Sequence, residues 1–127
     1  MGTGFKGNSK YFRSIGQNIL IASTKYPYEN GRFGDNSVHG RNSTRIITSE
    51  NNLSTAFDFY EKIAFGGIEK KVNDNLRITR MADGTIITMR KVSHSDGTPA
   101  VDINIEGSTH TGGLKNQKIH FVMGKGN

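Results

Sequence analysis

The stretch LRITRMADGTIITMRKV, Leu76–Val92, alternates apolar and polar residues on both sides of a turn. Successive side chains of a β-strand face opposite ways. Leu76–Met81 and Thr85–Val92 therefore read as two strands, with Ala82-Asp83-Gly84 as the turn of a hairpin. The period of two continues outward. In Ala100–Glu106, Val101, Ile103 and Ile105 alternate with Asp102, Asn104 and Glu106, and Lys118–Met123 sets Ile119 and Phe121 opposite Lys118 and His120. Ile68–Val72 reads as a short edge strand and SHSDGTP, Ser93–Pro99, as a loop.

Before these strands the period is helical. Phe12, Ile15, Ile19 and Ala22 recur at helical spacing within Tyr11–Ala22, with Gly16 weakening that helix modestly. Tyr26–Ser43 is rich in Gly, Asn and Asp and reads as one long loop. Thr48 or Ser49 then caps a second helix in which Leu53, Ala56, Phe57, Tyr60 and Ala64 share a stripe, ended by Gly66-Gly67. Residues 1–10, MGTGFKGNSK, have the composition of a linker, so 11–127 is expected to be a single domain cut from something longer. Helices first and strands afterwards predict an α+β fold. N-terminal helices pack on a twisted, four- to five-stranded antiparallel sheet, because no long helical crossover remains to build a parallel one.

Composition bounds the partners. The chain has 127 residues, only 33% of them hydrophobic, and 16 Gly, which suits a modest core with long loops. Its 17 Lys and Arg against 11 Asp and Glu give +6, and the pI of 9.7 predicts attraction to polyanions, nucleic acid first. Cysteine is absent, which excludes disulfides and cysteine zinc sites. Trp is absent too, leaving Tyr and Phe as the platforms on which bases could stack. No apolar run approaches the roughly 20 residues of a membrane span, so no stable membrane association is expected. No n-region followed by an apolar h-region is recognisable, so a secretion signal within this sequence is not expected.

With the apolar member of each strand turned toward the helices, the other face collects the chemistry. Leu76, Ile78, Ile87, Met89, Val101, Ile103 and Ile105 point in. Arg77, Thr79, Thr88, Arg90, Asp102, Asn104, Lys118 and His120 point out. That outward set contains parts for cutting RNA without a metal or any other cofactor. Attack of a ribose 2′-hydroxyl on its phosphate needs a base, an acid for the leaving 5′-oxygen, and cations for the phosphoryl oxygens. A free imidazole titrates at about 6.5 and can be base or acid, which makes His120 the leading catalytic candidate. Lys118 and Arg90 suit the phosphate, Arg90 by bidentate contact, and Thr88 can donate a hydrogen bond. A solvated sheet face would carry the same cations.

Three further histidines compete for a second catalytic position. His110 lies in STHTGGLK with Lys115 nearby, and His39 lies in VHGRNSTR beside Arg41 and Arg45. His94 is explained by a turn. Arg41, Arg45, Arg77, Lys115 and His39 are read as RNA contacts. Asp58, Glu69 and Lys71 loosely imitate an acidic, metal-dependent nuclease motif, but no compact histidine ligand spacing is present and no Walker or GxGxxG pattern.

The segments ADGTIITMRKVSHSDGTPAVDINIEGS and GGLKNQKIHFV, spanning Ala82 to Val122, resemble the C-terminal toxin domains of bacterial polymorphic toxins, including contact-dependent growth-inhibition effectors. The DGT turn, Arg90 with its Ser-rich loop, PAVDINI and KIHF carry the resemblance. Such domains are similar to the ribonuclease superfamily of barnase, EndoU, colicin nucleases and RelE-like toxins. The resemblance implies helices on a twisted antiparallel sheet whose open face binds RNA. It also implies metal-independent RNA cleavage, often of transfer RNA, and delivery as part of a larger secreted or cell-surface effector into a target cell's cytoplasm. A cognate immunity protein is implied, and some such toxins need a host activator protein. Arg90, Lys118 and His120 fall on the matching motifs, without an assignment of acid and base. Two alternatives share the basic charge: a metal-dependent DNase built on Asp58, Glu69 and Lys71, and a non-catalytic module that binds nucleic acid or a partner.

Overall fold

The computed structural model describes residues 12–37, 44–94, 96–109 and 112–124. Among them, helix α1 (Gly16–Ser23) is followed by strands β1 (Tyr28–Glu29), β2 (Arg32–Phe33), β3 (Asp35–Asn36) and β4 (Thr44–Ser49). Helix α2 (Asn52–Ile63) comes next, then β5 (Ile68–Lys71), β6 (Leu76–Arg80), β7 (Ile86–Arg90), β8 (Ala100–Asn104) and β9 (Gln117–Met123). The fold is α+β, but the helices do not both precede the sheet: four strands separate them. Within the expected 26–43 loop, Asn30 (φ 54°) and Gly31 (φ 83°) form the turn of a small β1–β2 hairpin.

The main sheet has seven strands in the order β3-β4-β9-β8-β7-β6-β5, two or three more than expected. All neighbours are antiparallel except β4 and β9, which run parallel with Thr44 opposite Lys118 and Ile46 opposite His120. The segment α2–β8 is itself the crossover that a parallel pair requires. Thr48 and Ser49 belong to β4, and the cap of α2 is Asn51, whose side chain accepts from the Ser54 amide.

Both helices cover one face of the sheet. Of the expected α2 stripe, Ala56, Tyr60 and Ala64 are buried, while Phe59 and Ile63 take the places of exposed Leu53 and partly buried Phe57. Phe59 is the hub of the core, edge-on to Phe33 at 5.0 Å and Tyr26 at 5.3 Å and tilted to Phe121 at 5.7 Å. α1 contributes Ile19 and Ala22, with Ile15 buried at its N-cap; the helix starts at Gly16, later than expected, so Phe12 precedes it and is only partly buried. Buried Asn18 donates 2.9 and 2.8 Å hydrogen bonds to the carbonyls of Ile63 and Phe65, satisfying two acceptors at the end of α2. Gly66, at φ 81°, then turns the chain into β5.

The Ala82-Asp83-Gly84 turn forms as read, with Asp83 accepting from the Thr85 amide at 3.0 Å. β6 faces the opposite way from the expectation. Thr79 is buried against α2, hydrogen-bonded to the Tyr60 hydroxyl. Arg77 stacks on Phe57 of α2 and pairs with Glu69 at 3.4 Å. Leu76 and Ile78 therefore stand on the uncovered face.

Candidate functional site

The strand register writes the uncovered face as three rows. The central row is Thr44, Lys118, Asp102, Thr88, Ile78 and Lys70. On one side lies the row Ile46, His120, Ala100, Arg90 and Leu76, and on the other Asn104, Ile86, Arg80 and Ile68. Lys118, His120, Arg90 and Thr88 thus share a face as expected. Asp102 stands among them, directly between Lys118 and Thr88. Between His120 and Arg90 only the methyl of Ala100 intervenes, so two long side chains flank a gap of two strand spacings, roughly 10 Å.

His120 is held in place by the β7–β8 loop, which read as an ordinary turn in the sequence. Its ring is only 6% exposed. Nδ1 lies 3.2 Å from Asp96 Oδ1 and 3.0 Å from Thr98 Oγ1. Thr98 donates to Asp96 through both its hydroxyl, at 2.7 Å, and its amide, at 3.0 Å, and the Ser93 hydroxyl donates at 2.9 Å. Burial opposes ionisation of Asp96, but these donors and the neighbouring imidazole hold its carboxyl down to about 2. An ionised carboxylate only accepts hydrogen bonds. The proton of this contact therefore belongs to Nδ1, and Nε2 is the nitrogen left for other work, with no hydrogen-bond partner among the described residues. Asp96, Thr98 and Ser93 are functional candidates that local turn chemistry conceals, because D-G-T is a sufficient turn signal by itself.

Asp102 differs from Asp96 in kind. Burial pushes its carboxyl above the ordinary range, with Lys118 and Arg90 pulling the other way. Lys118 and Arg90 make no hydrogen bond or close ion pair with a described residue, so their charges remain available to a ligand.

The other expected contacts lie elsewhere. Arg77 is on the helix side, and so is Arg45, 9% exposed, which donates to the carbonyls of Phe33 at 2.9 Å and Gly34 at 2.7 Å and to the Asn36 side chain. Both guanidiniums are engaged within the fold: Arg77, expected on the open face, is on the covered one, and Arg45, expected in the long loop, lies in β4. Lys115 is exposed, its amide bonded to the Gly31 carbonyl, away from the central row. His39, Arg41 and His110 lie outside the described residues. His94 is exposed in its turn.

The acidic motif does not assemble. Asp58, held at about 2 against burial by Tyr26, Lys62 and Lys25, is fully engaged by those three groups. Glu69 pairs with Arg77, and Lys71 with Asp74 at 3.7 Å. No group of three or more His, Asp or Glu among the described residues is arranged to hold a metal. A half-open depression of about 400 Å³ between the α1–β1 connection and β4, lined by Tyr26, Asp35, Thr48, Glu50 and Asp58, contains none of the central-row polar groups.

Comparison with known proteins finds no match: no family model, curated protein or solved structure aligns with this chain.

Proposed function

We propose that this chain is the toxin domain of a bacterial polymorphic toxin and acts as a metal-independent endoribonuclease, with transfer RNA as the expected substrate. The toxin setting rests on the resemblance of Ala82–Val122. It includes delivery from a larger effector, action in the cytoplasm of a target bacterium and neutralisation by an immunity protein. The chemistry rests on one observation: Asp102, Lys118, Arg90 and a carboxylate-anchored His120 occupy adjacent rows of the sheet face that the helices leave uncovered.

Each group suits one part of an in-line transfer. A carboxylate whose pKa is raised is a stronger base, so Asp102 takes the proton of the 2′-hydroxyl. The 2′-oxygen attacks phosphorus and the bond to the 5′-oxygen breaks. His120, oriented through Nδ1 by Asp96, serves as the acid and gives a proton from Nε2 to that leaving oxygen. Lys118 and Arg90 neutralise the phosphoryl oxygens, and Thr88 adds a hydrogen bond. The products are a 2′,3′-cyclic phosphate and a 5′-hydroxyl. His120 is then regenerated when it recovers the proton held by Asp102 through solvent.

The test is incubation of the purified protein and His120→Ala with total bacterial RNA in chelator, with mapping of the new ends and circular dichroism of both proteins. Discrete cuts ending in cyclic phosphate, absent from a folded variant, are expected. Activity that appears only with added divalent metal overturns the mechanism, and RNA binding without scission leaves the basic binding module. The cognate inhibitor is expected to lay acidic residues over the Lys118 and Arg90 face, where complementary potential speeds docking. An inhibitor seated wholly on the helices contradicts that.

A further inference from the structure

The uncovered face is divided. On β7, β8 and β9 it is polar, whereas on β5, β6 and the near part of β7 it presents Leu76, Ile78, Ile86 and Ile68, each partly exposed and none covered by a helix. This aliphatic patch starts directly beside the polar half, since Ile78 is the register partner of Thr88 and Leu76 that of Arg90. Its far side is cationic. Lys70 follows Ile78 in the central row, and Arg80, exposed, lies between Ile86 and Ile68 with its guanidinium 5.3 Å from the ring centre of half-buried Phe12. Among the described residues no carboxylate stands in these rows between β7 and β5. Of the nearby carboxylates, Glu69 is on the opposite face with Arg77, and Asp74 lies in the β5–β6 turn beside Lys71.

Cations at both ends and a carboxylate-free apolar floor between them match a polymer of alternating phosphates and flat bases. The span from Thr88 to Lys70 is two strand spacings, roughly 10 Å, room for a nucleotide laid across the strands. A duplex keeps its base faces stacked inside and cannot lay them on such a floor, so the match is to unpaired nucleotides. We infer that the β5–β7 half of the open face is a binding path for a single RNA strand leaving the Lys118–Arg90 centre, with nucleobases on Ile78, Leu76 and Ile86 and the next phosphate held by Arg80 and Lys70. The identity of the polymer as RNA rests on the nuclease reading; the path rests on the register.

The experiment measures binding apart from cleavage. The probe is a fluorescent single-stranded RNA hexanucleotide with every 2′-hydroxyl methylated, which removes the attacking group, titrated by anisotropy at several salt concentrations. Wild type is compared with Arg80→Ala/Lys70→Ala and with Ile78→Asp, each checked for folding. Loss of the one phosphate that Arg80 and Lys70 neutralise lowers the slope of log affinity against log salt by about 0.7, and the carboxylate placed at residue 78 weakens binding at least tenfold. The same sequence as a duplex binds more weakly than the single strand. Unchanged affinity and slope in both variants overturn the path, as does equal binding of the duplex or no binding of the probe. Cleavage of unmodified RNA is scored separately. A protein that cuts RNA but ignores both substitutions loses the path and keeps the nuclease reading. A protein whose probe binding responds to them without any scission keeps the path and loses the nuclease reading.

Discussion

Arginines stand on both faces of the sheet and do different things there. On the covered face, Arg45 is enclosed by the carbonyls of Phe33 and Gly34 and the Asn36 side chain, and Arg77 is clamped between Glu69 and the Phe57 ring. On the open face Arg90 has a register neighbour of one methyl, Ala100, and no hydrogen-bonded partner among the described residues. A count of cations in the sequence treats these as one population. Accounting for where each guanidinium's donors go separates scaffold from chemistry.

The sharpest break of that comparison is Asp102→Asn. On the open face it should lower kcat/KM for RNA by roughly 10²–10⁴ while leaving stability at pH 7 equal or improved, because a carboxyl raised by burial is strained when ionised. A large fall in the urea midpoint with unchanged turnover would reverse its role.

Next comes the arginine pair itself. Arg45→Met leaves buried carbonyls without donors and should cost about 2–4 kcal/mol in urea unfolding, with activity per folded molecule unchanged. Arg90→Ala should do the opposite, losing about 100-fold in turnover with stability within about 0.5 kcal/mol. Equal destabilisation by both would erase the difference between the faces.

The acid behaviour of the two halves should also diverge. Asp58 and Asp96 are depressed to about 2 in the folded protein. The unfolded chain therefore binds more protons than the native one between about 5 and 2, and the stability these groups confer is present above that range and lost as pH falls through it. Asp58→Asn or Asp96→Asn should flatten the acid limb of a pH-dependent unfolding series. Asp102 shifts upward instead, so the rising limb of log kcat/KM should lie above the ordinary aspartate value of about 3.9. A limb at or below that value would remove Asp102 as the base. Thr79→Val gives the smallest effect, about 1–2 kcal/mol of stability, since only the Tyr60 hydroxyl loses its buried partner.

What the sequence made legible follows the range of the forces involved. The hairpin around Asp83 and the burial of Ile87, Met89, Val101, Ile103, Ile119 and Phe121 are local, two-periodic features and were readable. β6 was read inside out because LRIT has apolar residues at one parity, whereas tertiary contacts bury the other: Thr79 has Tyr60 for a partner and Arg77 has Glu69 and Phe57. TRIITS sits between a Gly- and Asn-rich stretch and a helix, and its pairing with β9 spans more than 70 positions, so nothing local announces β4. Lys118, His120 and Arg90 were visible as an outward set. Asp96 and Thr98 were not, because only the closed β7–β8 loop brings them to the imidazole.

The placement of β9 between β4 and β8 has a consequence for folding. Of the described strands, β9, the last in chain order, is the one that joins the two halves of the sheet. Until Gln117–Met123 is in place, β3–β4 and β5–β8 have no common neighbour, and the long-range β4–β9 closure makes folding slow to begin. Lys118 and His120 ride on that same strand. The chain thus acquires its seven-stranded architecture and the approach of Lys118 and His120 to Asp102 and Arg90 in one event.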